Sequence, residues 1–180
     1  MGGFMIIRIA AILACLTLVL GCGGVQHVVT DRIEVGDRAP SFVLSEIYGT
    51  EKIDSSRLIY GSNATVIVIW SMACPDCREV LLDIQEVHER YAAKAMSFIG
   101  INTDHENVQG VKAFLRAEGI DFTTVWDGSG RVARDYRALD YTFSIFVVNS
   151  EGRVILAQYD HPPDLADMLT RTLDEVLEAG

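Results

Sequence analysis

Thr65-Val66-Ile67-Val68-Ile69-Trp70-Ser71-Met72-Ala73-Cys74-Pro75-Asp76-Cys77 decides how this chain is read. Its first part, residues 65–69, is a continuous β-branched run of the kind a parallel sheet buries on both faces. The second part sets two cysteines three positions apart where a helical pattern opens, a spacing at which the sulfurs can close a small disulfide and open it again. A sulfur there lies among backbone N–H groups that no helical carbonyl satisfies, at the positive end of the helix dipole, so the thiolate is favoured over the thiol. The thiolate is the species that attacks disulfides.

Working outward, Val80, Leu81, Ile84, Val87, His88 and Tyr91 recur at helical spacing among charged residues, which predicts an amphipathic helix with one packed face. Strand patterns follow at 96–101, 122–126, 145–148 and 153–158, the last two joined by a turn over 149–152. Helical patterns lie between and after them at 108–117, closed by Gly119, at 129–136, and at 164–177 behind Pro162-Pro163. Upstream, 41–44 and 51–53 read as a strand and its return about Tyr48-Gly49-Thr50, and Asp54-Ser55-Ser56 as a cap for one helical turn. Strands alternating with helices and ending in a hairpin imply an α/β sandwich with a mixed sheet.

The chain has 180 residues, 49% of them hydrophobic, with no internal repeat, which suits one compact domain plus a targeting segment. Its 15 basic and 25 acidic residues leave a net charge of −10. That balance opposes binding to nucleic acid, which relies on basic surface, and adhesion of the folded domain to anionic lipid. Near the N-terminus Arg8 precedes an uncharged apolar stretch, residues 9–20, that ends in Gly21-Cys22-Gly23-Gly24. The stretch is too short for a comfortable bilayer span and suits the core of a signal peptide. Val19-Leu20-Gly21-Cys22 resembles the lipobox of bacterial lipoproteins, which implies acylation of Cys22; an uncleaved anchor over residues 4–20 is the alternative. The expected organisation is therefore a lipoprotein signal peptide over 1–21, a lipidated tether over 22–34 reaching about 40 Å at full extension, and a folded domain over 35–180. Either reading places that domain outside the cytoplasm, anchored on the periplasmic side of the inner or outer membrane. Cys15 falls inside the signal and Cys22 takes the lipid, so Cys74 and Cys77 are the cysteines left to the mature domain. A local pair with no distant partner reads as redox-active.

Four segments carry a family resemblance: Gly36-Asp37-Arg38-Ala39-Pro40-Ser41-Phe42; Trp70 ahead of Cys74-Pro75-Asp76-Cys77-Arg78; Gly100-Ile101-Asn102-Thr103-Asp104; and Phe146-Val147-Val148-Asn149-Ser150-Glu151-Gly152. With these, residues 35–177 resemble the thioredoxin-like family and, within it, the TlpA/ResA-type membrane-tethered thiol-disulfide oxidoreductases. The resemblance implies a thioredoxin-like three-layer sandwich, its mixed central sheet covered by helices on both faces and extended by an N-terminal β-hairpin. It implies that Cys74 is the nucleophile and Cys77 the resolving thiol, supported by Trp70, Ala73, Pro75, Asp76, Arg78, Thr142 and Phe143. It also implies no cofactor or metal beyond the redox-active Cys74–Cys77 disulfide. The implied partners are a protein disulfide substrate such as apocytochrome c, a membrane electron donor of the disulfide-reductase type, and the membrane itself through the lipid.

The chain departs from the family at several positions. Ala73 stands where Trp is usual, Asp76 where Pro is common, and Val80 and Leu82 where Glu and Pro are common. Phe143 in Thr142-Phe143-Ser144 occupies the place of the family's cis-proline. A cis bond before Phe143 costs about 3 kcal/mol, so a trans peptide and a reshaped loop are expected.

Other readings of the same residues stand beside this one. Asp76 is either an acid of the first helical turn, interacting with the helix dipole, or a charge that disfavours the Cys74 thiolate and moves the pair toward reducing power, with Arg78 offsetting part of it. Pro75 suits the first helical turn. Zinc needs about four ligands, and His27, His88, His105 and His161 have no close spacing to the pair. A metal or cluster shared between two chains, or a permanent structural disulfide, are further alternatives. His88 reads as a core or boundary residue, Trp70 and Trp126 as packing residues with Trp70 bordering the disulfide, His161 as part of a helix entry, and Asp104 or Asn102 as a cap. Two rival functions remain: a thiol peroxidase, because Ser71-Met72-Ala73-Cys74 resembles the peroxiredoxin Thr-x-x-Cys pattern although Ile67 replaces its Pro, and a binding module with little redox activity.

Overall fold

The computed structural model describes residues 32–179. The expected signal segment, Cys15, Cys22, His27 and the tether up to residue 31 lie outside the described residues. The elements in chain order are β1 (Val43–Glu46), β2 (Lys52–Asp54), α1 (Ser55–Tyr60), β3 (Ala64–Trp70), α2 (Cys77–Tyr91), β4 (Met96–Asn102), α3 (Val108–Glu118), β5 (Thr123–Trp126), α4 (Arg131–Asp135), β6 (Phe143–Asn149), β7 (Val154–Tyr159) and α5 (Leu165–Ala179).

One seven-stranded sheet runs in the order β2-β1-β5-β4-β3-β6-β7. β3, buried along its whole length, is an interior strand: it pairs in parallel with β4 and antiparallel with β6. Its β-branched side chains alternate between two cores. Val66, Val68 and Trp70 pack with Phe98, Phe143, Ile145 and Val147 beneath α2, α3 and α5. Ile67 and Ile69 pack with Ile99, Ile101, Phe146 and Val148 against α1, α4 and Phe42. This double burial is why the run carries no polar alternation. The N-terminal hairpin extends the sheet, as β1 adds antiparallel to the edge of β5. The expected thioredoxin-like sandwich, mixed sheet and hairpin extension are therefore all present.

Differences from the sequence reading have local causes. The packed chain begins before residue 35, because Ile33, placed in the expected tether, is buried and its N–H donates to the Tyr159 hydroxyl at 2.7 Å. Helix α2 begins at Cys77 rather than at the first cysteine. Two successive turns, Cys74 N–H to the Ser71 carbonyl and Cys77 N–H to the Cys74 carbonyl, bring the chain in, and the Asp76 carbonyl then accepts from Val80. Pro75 thus precedes the helix instead of occupying its first turn, and Asp76 is the N-cap, with no side-chain capping bond. Strand β6 starts two residues earlier than read, because Phe143 pairs across the ladder with Trp70. Trp126, expected to pack, is 37% exposed, with its Nε1–H donating to the Asp104 carbonyl at 2.6 Å. Helix α3 is capped by Asn107, whose Oδ1 accepts from the Gly110 N–H, and not by Asn102 or Asp104. No helix among the described residues is long and apolar enough to cross a membrane.

Candidate active site

The C-terminal end of β3 delivers the cysteines to one end of the sheet. Beyond Trp70 the chain leaves the ladder through Ser71-Met72-Ala73 and reaches Cys74, which is joined to Cys77 in a disulfide with a Cα–Cα separation of 5.3 Å. The two sulfurs have unequal surroundings. Cys77 is 3% exposed and belongs to the core under α2, whereas Cys74 is half-buried and flanked by exposed Met72, Ala73, Pro75 and Asp76.

The loop that carries Cys74 is held from the neighbouring strand. Asp104, just past β4, accepts the Met72 N–H at 2.8 Å and the Asn102 Nδ2–H at 2.7 Å on the same carboxylate oxygen. Trp70 is fixed through its carbonyl, which accepts from the Thr103 N–H and hydroxyl. Its ring is buried, packs tilted on Phe114 at 5.9 Å, and leaves Nε1 with no hydrogen-bond partner.

Opposite the pair lies the start of β6. The Thr142 carbonyl is 3.9 Å from Cys77 Sγ, close enough to accept from that thiol once the disulfide is reduced. Phe143 is 1% exposed, and among the described residues there is no cis peptide bond, as expected for a chain with Phe at this position. Its aromatic ring meets His161 edge-on, with centroids 6.5 Å apart. Asp83, six residues beyond Cys77 on α2, is pushed above the usual carboxylate range by burial, and the nearby His161 pulls it part of the way back.

The other expected residues are also placed. Arg78 is committed to α3, its guanidinium 2.8 Å from the Glu118 carboxylate, which draws it away from offsetting Asp76 and pushes its pKa further up. His88 lies half-buried between Phe98 and Phe122, a boundary residue as read. Thus Trp70, Ala73, Cys74, Pro75, Asp76, Cys77, Arg78, Thr142 and Phe143 gather at one end of the sheet, while Cys22 is outside the described residues. Asp104 is the site residue the sequence reading missed, because it looked like a helix cap. Among the described residues no three His, Cys, Asp or Glu side chains are grouped to hold a metal ion.

Comparison with known proteins agrees with this fold. The model of the AhpC/TSA family matches residues 35–157. Thiol-disulfide oxidoreductase ResA of Bacillus thuringiensis subsp. konkukian is 23% identical over 125 residues, 69% of each chain. A Mycobacterium tuberculosis protein whose name assigns it provisionally to the peroxiredoxins is 23% identical over 143 residues, 73% of this chain and 88% of that one. Among solved structures, a Chlorobium tepidum protein provisionally named thiol:disulfide interchange protein DsbE superposes with a TM-score of 0.71 at 24% identity, covering 81% of this chain and 99% of its own.

Proposed function

We infer, for a chain that belongs to the AhpC/TSA family and is a thiol-disulfide oxidoreductase of thioredoxin-like fold, that it reduces protein disulfides outside the cytoplasm while an acyl group on Cys22 holds it at a membrane. The observation that carries the reading is the inequality of the pair: Cys74 reachable, Cys77 enclosed. In the reduced protein the Cys74 thiolate attacks one sulfur of a client disulfide, forming a mixed disulfide and releasing the other client sulfur as a thiolate. The Cys77 thiolate then attacks Cys74 Sγ, the mixed disulfide breaks, and the client leaves with both of its sulfurs reduced. The two electrons come from the pair, which ends as the Cys74–Cys77 disulfide and is recharged by a membrane donor of the disulfide-reductase type. Asp76, exposed at the N-cap beside Cys74, supports the reducing direction because its charge disfavours the thiolate that oxidation consumes. The TlpA/ResA-type resemblance points to apocytochrome c as the client class.

Insulin reduction in the presence of dithiothreitol tests the activity. Wild type is expected to accelerate precipitation of the insulin B chain, Cys74→Ser to abolish the acceleration, and Cys77→Ser to accumulate a mixed disulfide. A wild type no faster than dithiothreitol alone sinks the reductase reading and leaves the binding-module alternative.

The peroxiredoxin-named relative favours a second reading as a thiol peroxidase. Against it, Ile67, where the peroxiredoxin pattern has Pro, sits in the middle of β3 in register with Ile99 and Phe146, fully buried in the sheet. Peroxide consumption undiminished in Cys77→Ser would restore the peroxidase.

A further inference from the structure

Helix α4 ends in a turn that Gly usually makes. The Arg137 N–H donates to the Arg134 carbonyl and the Ala138 N–H to the Ala133 carbonyl, both at 2.8 Å, which are the paired bonds of a Schellman cap. The residue at its corner takes the left-handed conformation, with φ of 54°, and it is Arg137. The backbone accepts strain where the side chain carries a charge, a combination that occurs at ligand clamps. That side chain lines a cavity of about 470 Å³ together with Arg32, Glu34, Arg134, Leu139, Asp140 and Tyr141. The Arg32 guanidinium lies over the Tyr141 and Tyr159 rings, 5.0 and 5.1 Å from their centroids. Arg134 Nη2 donates to the Ser129 carbonyl at 3.2 Å, and Arg137 Nη1 to the Arg32 carbonyl at 3.5 Å. Among the described residues neither Arg32 nor Arg134 is ion-paired to a carboxylate. A guanidinium has five N–H donors, so Arg134 keeps most of its own for a ligand. The three arginines outnumber the acids of the wall, Glu34 and Asp140, in a chain whose net charge is −10.

Two routes tie the cavity to the disulfide. Tyr141 in its wall directly precedes Thr142, whose carbonyl is 3.9 Å from Cys77 Sγ. On the other flank Leu139, 48% exposed, shares the space at Gly130 with Arg134 and His105. Next to His105, Asp104 accepts the Met72 N–H of the loop that carries Cys74. The exposed acids Asp76 and Glu79 flank the cysteines themselves, and Arg78 is held by Glu118.

We propose that this cavity selects among clients: it receives an acidic side chain, Asp or Glu, of the polypeptide whose disulfide meets Cys74. The proposal rests on the reading of the chain as a reductase of protein disulfides and names the clients it prefers. The client carboxylate accepts from Arg134 and Arg137, Arg32 adds its charge from over the tyrosine rings, and Leu139 and Tyr141 cover the apolar stem. A polypeptide held at Cys74 advances about 3.3 Å per extended residue, so residues close to its cysteine reach a cavity whose wall begins one residue from Thr142. Charge decides the sign of the preference. The acidic chain as a whole repels an acidic client, and a local excess of guanidinium beside the cysteines gives such a client one favourable docking place.

The test is the second-order rate at which synthetic peptides oxidise the reduced full chain, followed by acid quench and mass spectrometry. Each peptide carries one intrachain disulfide and either Glu or the isosteric Gln, stepped residue by residue away from the disulfide on both sides. At the best position and low salt the Glu peptide is expected to react about three- to tenfold faster than its Gln counterpart. The ratio should fall to one at about 1 M salt, where the Debye length is about 3 Å. Arg134→Gln and Arg137→Gly should each lower the ratio toward one at low salt; Gly suits the left-handed corner, so the second change removes a charge without straining the turn. Arg134→Lys, which keeps the charge, should retain a ratio above one. A wild-type ratio of one at every position, or a ratio that survives both charge-removing variants, overturns the client site and leaves the reductase reading intact. A ratio of one together with sedimentation on phosphatidylglycerol vesicles that Arg137→Gly abolishes assigns the cavity to lipid phosphate and overturns the client site as well. A reduced pair that no peptide of either kind oxidises overturns the functional reading and this one with it.

Discussion

Removing the carboxylate of Asp104 is expected to loosen the loop that presents Cys74 and to destabilise the fold with it. One oxygen of Asp104 accepts both the Met72 N–H at 2.8 Å and the Asn102 Nδ2–H at 2.7 Å. Asn102 is 0% exposed, so in Asp104→Ala its amide loses a partner that water cannot readily replace, a loss of about 1–3 kcal/mol. The Met72 bond lies at the surface, where water substitutes, and adds about 1 kcal/mol. The sum is about 2–4 kcal/mol, or a fall in Tm of roughly 5–12 °C for a domain of this size. Asp104→Asn keeps an acceptor oxygen in place and should cost about 1 kcal/mol, the loss of charge assistance. Urea titration of the three proteins measures the stability, and alkylation of reduced Cys74 at fixed pH reports on the loop. An Ala variant within 0.5 kcal/mol of wild type, or an Asn variant as unstable as Ala, would refute the assignment of Asp104 as the clamp between β4 and the cysteine loop.

Three other outcomes are expected. Asp76→Asn should raise the thiolate fraction of reduced Cys74 and move its alkylation profile to lower pH, by up to about one unit, since a nearby anion is removed; an unchanged titration removes Asp76 from the mechanism. Asp127→Ala should destabilise the protein by about 3 kcal/mol in urea unfolding, because this 1% exposed carboxylate accepts from the Arg131 and Ala133 N–H groups and from the Ser129 hydroxyl at the start of α4; a shift below about 1 kcal/mol contradicts that. Burial and its bond to Asp174 push Tyr91 up to about 12. A phenol raised above its unfolded value of about 10 contributes stability below that value and loses it as pH rises through the folded one. Thermal melts should therefore fall between pH 10 and 12, and less steeply in Tyr91→Phe; equal slopes for the two proteins would contradict the assignment.

The fold was legible because its strands announce themselves without their neighbours. The β-branched run over 65–69 needs burial on both faces, and the spacing of Val80, Leu81, Ile84, Val87 and Tyr91 matches the buried face of α2. Phe143 could be placed opposite the cysteines because its distance from Phe146-Val147-Val148 is fixed by one strand. Relations made by loops were not legible. Asp104 lies 32 residues from Met72, and its sequence neighbourhood is that of any strand-to-helix loop. His161 meets Phe143 only because the β6–β7 hairpin returns the chain beside its own start. Trp126 was misread because an apolar alternation does not reveal that β5's last residue, paired with Asn102 on one side and Ser45 on the other, lies at a rim where its indole covers Asp104 instead of entering the core.

Cycling of the cysteine pair in the reducing direction is tested most directly by equilibrating the protein in dithiothreitol and glutathione buffers of graded potential and counting, by thiol trapping and mass spectrometry, the fraction of Cys74–Cys77 oxidised. A reversible two-electron transition near about −270 mV, on the thioredoxin side of the scale, is the predicted result. A transition near about −120 mV would reverse the direction of the reaction, and a pair locked in one state across every buffer would contradict the exchange chemistry altogether.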